Sequence, residues 1–490
     1  MPLLELVQKE EWPPDNDVGH PPREAVDKLH RDLIAVRDME WEAKGPDKAM
    51  QAGLFDALAA TSLFALTVPE QYGGLGASNE EFTRIIRTAS TIGACVAITA
   101  VPHLCNGVKS IGLFGTEKIK KEVFAQVLDG KLISFALTED HTGSNVPSIR
   151  SKVEPDGNEY RLNGSKLWVT NVPFACCIVV VAKSPDLSPI PNGSTFVLVD
   201  PGAQGLTISK TWHKLAADGS PTVNLFLDNI RVAESQLFGD RGKAINHFNT
   251  IVETGRLGAA AGAAGTAQQS LALARRDARK NGLGGHLLPQ GDFECFAMHA
   301  VLRYSGFLCD INHEERGIIT ALCKLFCTHR AMSMVQDIFS WYLSNGVPLN
   351  PDVERMLKEI PFFKIVEGPS EVITFHAMLS MVSKLATKAP GIDTPKKISH
   401  GGSLENQLGQ LGRQLAGFAL QVSEMRPMIQ HQNALWSLAQ FAAAIHTAQC
   451  VFAVTAWEKD MGDDKAVQYR KRAVNEAIQA FHVIRETLNT

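Results

Sequence analysis

The apolar period of this chain changes twice, and that constrains its fold more than any other feature. From Arg23 to Gly130, apolar and charged residues alternate at three and four, as in Glu80-Glu81-Phe82-Thr83-Arg84-Ile85-Ile86-Arg87, the spacing of a helix face. Val68-Pro69-Glu70-Gln71-Tyr72-Gly73-Gly74-Leu75-Gly76 interrupts the pattern with a loop set by Pro and Gly. At Ile133 the pattern becomes short apolar runs between turns. Ile178-Val179-Val180-Val181-Ala182 and Thr195-Phe196-Val197-Leu198-Val199 read as buried strands, Thr222 to Val232 as another β segment, and Asn163-Gly164 as a hairpin turn. Helical spacing returns near Lys243. Ala and Gly dominate Arg256 to Ala274, and small residues let helix backbones approach closely. A loop is expected from Asn281 to Gly291.

Beyond a Pro/Gly/Lys-rich connector at 388–403, Leu404, Leu408, Leu411, Leu415, Phe418 and Val422 form one helix stripe. Residues Leu435 to Trp457 are apolar on most faces, which predicts a central helix; Val467, Val474, Ile478, Phe481 and Leu488 suggest a third. The expected fold is α+β in four parts: an N-terminal helical domain at 1–130, a middle β domain at 131–238, a C-terminal helical bundle at 239–387 and a helical extension at 388–490.

Composition removes several function classes. A chain of 490 residues exceeds one hydrophobic core. A net charge of −4 supplies no basic field for nucleic acid. No uninterrupted apolar run reaches the roughly 20 residues of a membrane span. The start, Met1-Pro2-Leu3-Leu4-Glu5-Leu6, has an early acid and no basic region, so the expectation is a cytoplasmic protein without a signal peptide. Nine Cys with no C-x-x-C pair argue against a disulfide framework or a metal site, and Cys323 and Cys327 read as core residues. No G-x-G-x-x-G follows an early strand, so a Rossmann site is not supported.

Three segments carry the chemistry. The first is Phe135-Ala136-Leu137-Thr138-Glu139-Asp140-His141-Thr142-Gly143-Ser144-Asn145-Val146. The second is Lys166-Leu167-Trp168-Val169-Thr170-Asn171 and the third Val366-Glu367-Gly368-Pro369-Ser370-Glu371-Val372, with Val353-Glu354-Arg355 ahead of it. In this order and spacing they resemble the acyl-CoA dehydrogenase family, whose arrangement of helical domain, β domain and four-helix bundle matches the expected one. The resemblance implies FAD as cofactor and an acyl-CoA or acyl-carrier-protein thioester as substrate. It further implies an electron-transfer flavoprotein or similar acceptor, a homodimer or homotetramer, and no metal.

Desaturating a thioester needs a base at the α-carbon, an organic hydride acceptor and donors facing the carbonyl oxygen. Glu367 has an apolar approach, Phe362-Phe363-Lys364-Ile365-Val366, and a helix stop, Gly368-Pro369, immediately after it. The resemblance makes it the base, with flavin N5 accepting hydride; Pro369 stands where the family has Thr. Carried over residue by residue, Phe135, Leu137, Thr138, Trp168 and Thr170 would contact the isoalloxazine, and Arg279 and Gln336 would meet flavin at further positions. Ser144, Glu253, Arg256, His103, Val366 and Gly368 would border the acyl-CoA. Three alternatives remain open at this stage: a carrier-protein-linked dehydrogenase, a flavin oxidase of the same fold, and a non-catalytic scaffold.

Overall fold

A computed structural model describes residues 23–39, 50–187, 190–283, 290–388, 403–425, 432–457 and 461–489. The expectations for Met1–Leu6, for most of the 281–291 loop and for nearly all of the 388–403 connector lie outside the described residues. Two compact units emerge, one built from 22–266 with 354–362, the other from 267–353 with 363–490.

The first unit begins with helices α1 (Glu24–Asp38), α2 (Phe55–Ala59), α3 (Asn79–Ile92), α4 (Ala94–Val101), α5 (Lys109–Phe114) and α6 (Glu117–Leu128). Helix α3 starts at a reciprocal cap: the Ser78 hydroxyl accepts from the Glu81 N–H while Glu81 accepts from the Ser78 N–H. The preceding Gly-rich loop is tied down by Arg23, which donates to the carbonyls of Leu75 and Gly76. Gly74 has to be Gly, since a Cβ there would lie 2.2 Å from the Val68 carbonyl oxygen.

The sheet follows as β1 (Leu132–Ala136), β2 (Lys152–Asp156), β3 (Glu159–Thr170), β4 (Ala175–Lys183), β5 (Ser194–Val199), β6 (Leu206–Ile208), β7 (Thr222–Val232) and β8 (Leu237–Phe238). Strands are ordered β6-β7-β3-β2-β4-β5-β8, and β1 lies parallel to β4. Its core is aliphatic: Val153, Leu162, Val169, Ile178, Val180, Val197, Leu225 and Ile230 are buried.

One sequence expectation is overturned here. Asn163-Gly164 is not a hairpin turn: β3 runs through it, and the turn lies earlier, between the paired Asp156 and Glu159. Gly164 instead occupies a bulge at φ +141°, where a Cβ would lie 2.3 Å from the Ser151 hydroxyl.

Helix α7 (Ala244–Lys280) is continuous through both units. Its small residues, read from the sequence as bundle contacts, make close approaches to α3 and α4 within the first unit. At Gly258 a Cβ would meet Val101 at 2.8 Å, and at Gly265 it would lie 2.1 Å from the Arg87 carbonyl oxygen. Gly265→Ala is therefore expected to cost about 1–3 kcal/mol, since backbone on α3 has to shift to admit one methyl. Chemical denaturation of the variant checks this; an unchanged midpoint would contradict the packing.

The second unit contains α8 (Gln290–Asp310) and α9 (Arg316–Ser344). Helix α10 (Pro351–Glu359) straddles the boundary between the units. Then come α11 (Phe362–Ile365), α12 (Ser370–Lys388), α13 (Leu404–Glu424), α14 (Gln432–Trp457) and α15 (Asp463–Asn489). Helices α12, α13, α14 and α15 share the second unit with α8 and α9 and pack with them. Helix α14 is central, touching α8, α9, α12, α13 and α15. On α13, Leu408, Leu411, Leu415 and Val422 are buried as the stripe requires. Val467 on α15 departs from the expected stripe and is 54% exposed, while Val474 and Phe481 are buried.

A charged cluster joins α15 to α8 and α9. Glu294 accepts from Arg472 at 2.8 Å and lies 3.5 Å from Arg330, which also pairs with Glu476. Three helical stretches (94–114, 316–344 and 432–456) are long and apolar enough to cross a membrane by composition, yet most of each is buried in protein. Among the described residues no cluster of His, Cys, Asp and Glu could hold a metal ion.

Candidate active site

In the first unit, the candidate flavin wall is built at a break in β3. Pairing with β7 shifts register between Lys166 and Val169, and Trp168 sits in that shift at φ +57°. A non-glycine residue in the left-handed region costs of order 1 kcal/mol and persists only where its surroundings hold it. Asn224 on β7 does the holding. Its side-chain oxygen accepts from the Trp168 backbone N–H at 3.4 Å and from the Trp212 indole N–H at 3.1 Å. The two indoles stack at 5.2 Å, and Trp168 remains 55% exposed. Two residues on, the Thr170 and Thr222 hydroxyls lie 3.5 Å apart, and the Thr170 carbonyl accepts from Ser134 at 2.9 Å. Phe135, half-buried on β1, stacks on Phe248 at 5.7 Å.

Beneath this wall lies an ion pair that sequence reasoning did not single out. Lys166 and Glu139 are both buried, with Nζ 2.7 Å from Oε1. Lys166 also donates to the Leu137 carbonyl at 3.1 Å, and the Leu167 N–H donates to the Thr138 carbonyl at 2.8 Å. Glu139 accepts from the backbone N–H groups of Arg150 at 2.6 Å and Ser151 at 3.0 Å. Leu137 and Thr138 are thus fixed through their carbonyls to β3. Burial alone would raise the Glu139 carboxyl, but the Lys166 ammonium and the two N–H donors hold it below the usual carboxylate range. Burial pulls Lys166 down to about 8, so the pair is charged at neutral pH. Ser144, in the loop held by this pair, is exposed.

His103 is a structural tie within the first unit. It follows Pro102 in a π-helical turn, is fully buried, and uses both ring nitrogens: Nε2 lies 2.8 Å from the Phe64 carbonyl and Nδ1 accepts from the Ile133 N–H at 2.9 Å. Both nitrogens are committed to backbone, so His103 ties the Phe64 segment and the turn after Pro102 to the start of β1. Desolvation lowers it to about 4 from 6.5. The folded protein therefore keeps His103 neutral while the unfolded chain protonates. Stability falls as pH drops from 6.5 toward 4, by about 3 kcal/mol from this group. Denaturation midpoints across that window check the sign; a His103→Phe variant should lose that portion of the acid dependence.

Glu253 and Arg256 sit one turn apart on α7, both half-buried. Between them Thr254 donates to the Asn79 side-chain oxygen at 3.1 Å and accepts from Lys109. Arg279, in the last turn of α7, and Gln336, on α9, are exposed and belong to the second unit.

Glu367 also belongs to the second unit. Helix α11 ends at Ile365, and Glu367 and Gly368 both take positive φ, +57° and +91°. Gly is required at 368 by its conformation and by space, for a Cβ would lie 2.7 Å from Ile373. Two donors close the turn. Lys324, fully buried on α9, donates to the carbonyls of Lys364 (3.3 Å) and Gly368, and the Ser370 hydroxyl donates to Lys364 at 3.2 Å. Val366, Glu367 and Gly368 are half-buried, neither sealed in the core nor fully in water.

The site residues divide by unit: Phe135, Leu137, Thr138, Ser144, Trp168, Thr170, Glu253 and Arg256 in the first, and Arg279, Gln336, Val366, Glu367 and Gly368 in the second. Asn224, Trp212 and Lys324 went unnoticed in the sequence. Trp212 lies in a polar loop, and Asn224 and Lys324 look like ordinary strand and helix residues until their hydrogen bonds are seen.

Residues 22–131 match the acyl-CoA dehydrogenase N-terminal domain and residues 134–230 the acyl-CoA dehydrogenase middle domain. An acyl-CoA dehydrogenase of Bacillus subtilis is 30% identical over 337 residues, covering 65% of this chain and 86% of that one. The human very long-chain specific acyl-CoA dehydrogenase is 26% identical over 444 residues, 86% of this chain; the alignment spans 66% of the human protein's length. The solved structure of an acyl-CoA dehydrogenase from Bacillus anthracis, complexed with FAD, superposes with a TM-score of 0.83 at 21% identity, over 99% of this chain and 91% of that one. The chain belongs to the acyl-CoA dehydrogenase family. The Bacillus anthracis likeness extends the shared fold through the C-terminal helices.

Proposed function

We propose that this protein is an FAD-dependent acyl thioester dehydrogenase in which Glu367 removes the α-proton. The observation that carries the reading is the Glu367 turn. A glutamate is held at φ +57°, half-buried, between an apolar helix and a glycine that nothing larger can replace. Backbone strain of that kind is retained where a side chain's direction matters.

The residues of the first unit fit a flavin. An exposed indole, stiffened by a second indole and by Asn224, offers an apolar wall, and the Thr170 hydroxyl offers a donor beside it. Trp168, Thr170, Phe135, Leu137 and Thr138 would hold the isoalloxazine, with Arg279 and Gln336 reaching flavin at further points. FAD, when bound, supplies a two-electron acceptor for the hydride leaving the β-carbon. Glu367 takes the α-proton on a carboxylate oxygen, and a partly desolvated carboxylate is a stronger base than one in water. Within the first unit, the exposed Trp168 indole, stacked on Trp212, would cover one side of a bound flavin and keep water from it. The product is the α,β-unsaturated thioester.

Family membership supports acyl-CoA as the substrate class, an electron-transfer flavoprotein as acceptor and assembly as a homo-oligomer. The test is turnover with an artificial electron acceptor and an acyl-CoA panel, with the product identified by mass. Loss of two hydrogens from one chain class is expected; products that gain oxygen would move the chemistry to a different branch of the fold.

A further inference from the structure

We propose that Lys324 is a positioning residue for the base: its buried ammonium sets the backbone turn that aims Glu367. The inference rests on the reading of Glu367 as base and deepens it. Lys324 is 0% exposed, and its ammonium donates to two carbonyls, Lys364 at the C-terminal end of α11 and Gly368 immediately after Glu367. The two acceptors bracket the segment 365–367, so one nitrogen pins both ends of the loop that carries the carboxylate.

An ammonium is an expensive choice for the task. A buried charge costs far more than a buried hydroxyl, so a Ser or Thr donor would suffice if the only need were to cap a four-residue helix. Such a donor is already present: Ser370 donates to the Lys364 carbonyl. What Ser370 does not reach is Gly368. That carbonyl's direction is set by the two positive-φ residues, Glu367 and Gly368, and the bond from Lys324 selects this arrangement over an ordinary right-handed turn. A relaxed turn would rotate the Glu367 side chain while leaving the helices on either side in place. Lys324 does not itself act on substrate; it acts through Glu367.

The test uses the full-length holoprotein with Lys324→Met, Lys324→Gln, Lys324→Arg and Glu367→Gln. Two rates are read: anaerobic flavin reduction at saturating acyl-CoA, and exchange of the α-hydrogens of a β-thia acyl-CoA into heavy water. The second involves the base alone, because sulfur at the β-position blocks hydride loss. Lys324→Met is expected to keep its flavin and its affinity for acyl-CoA while both rates fall by roughly a hundredfold, the penalty of a misplaced reacting group. Lys324→Arg, which keeps charge and donors, is expected to recover most of the loss.

Wild-type exchange in Lys324→Met would overturn the positioning role. So would a loss confined to acyl-CoA affinity. Should Lys324→Met fail to fold, Lys324→Gln, shorter and neutral, takes its place at the same two rates, and the same two results in it would overturn the role. Glu367→Gln separates this proposal from the one beneath it. Wild-type exchange there defeats the base reading and this proposal together, whereas dead Glu367→Gln beside wild-type Lys324→Met defeats only the positioning role.

Discussion

Replacing Glu367 by Gln is expected to slow flavin reduction by roughly 10²–10⁴-fold, the usual worth of a placed general base. The exchange keeps the side chain's volume and its place at φ +57°, so the turn held by Lys324, Ser370 and Gly368 has no reason to move. Flavin content and acyl-CoA affinity should therefore stay at wild-type levels while the rate collapses. That pattern, a loss in the chemical step with binding intact, separates a group acting in the transition state from one that binds substrate uniformly. A variant that reduces flavin normally would remove Glu367 from the mechanism. One that loses flavin as well would make it a structural residue.

The second large effect is on stability. Lys166→Met is expected to cost about 3–5 kcal/mol, because it leaves the Glu139 carboxylate buried without its cation. Glu139 keeps its two backbone N–H donors, but these do not supply a full positive charge. In proteins whose whole stability is about 5–15 kcal/mol, a loss of this size reaches the function. The Leu137 carbonyl loses its donor at the same stroke, so flavin affinity should fall along with the denaturation midpoint. Adding Glu139→Gln to Lys166→Met should restore most of the loss, since the uncompensated charge is gone. Equal damage in single and double variants would show that packing matters and the charge pair does not.

The pair also sets an acid limit. Glu139 is held below its ordinary value of 4.5 by Lys166 and the N–H donors. Its contribution to stability is present above pH 4.5 and is lost as pH falls through the lower folded value. His103 loses stability over the window just above, so the folded protein is undermined by acid in two successive steps.

The order of helical, sheet and helical parts was legible in the sequence because it rests on period, and period follows from which face of an element is buried. The stripe on α13 and the apolar rotation of α14 were legible for the same reason. Asn163-Gly164 misled because the same pair serves a tight turn or a bulge, and the choice was made by Ser151 on a different segment, against which Gly164 packs. Val467 is exposed although neighbouring helices reach its level, where Tyr469 packs on Phe296 and Arg470 donates to Thr455 instead. The helix end near Glu367 was readable from its Gly-Pro stop, while the base role of Glu367 came only from the family resemblance. What held the turn was not readable: Lys324 lies on another helix, and nothing local distinguishes a buried Lys from a solvated one. The two backbone hydrogen bonds of His103 were equally unreadable, because Phe64 and Ile133 lie far from it in sequence. Roles that depend on partners distant in sequence surface only when the partners are placed.

The proposed reaction, with flavin bound, is the oxidation of an acyl thioester in which Glu367 would take the α-proton and the flavin would supply the acceptor for the β-hydride. It is tested most directly by adding a graded panel of acyl-CoAs to the purified protein without oxygen and following the visible absorbance of its flavin. Prompt bleaching by one chain class, absent in Glu367→Gln, is the predicted result. Bound flavin that no acyl-CoA bleaches, or equal bleaching in wild type and variant, would contradict the account.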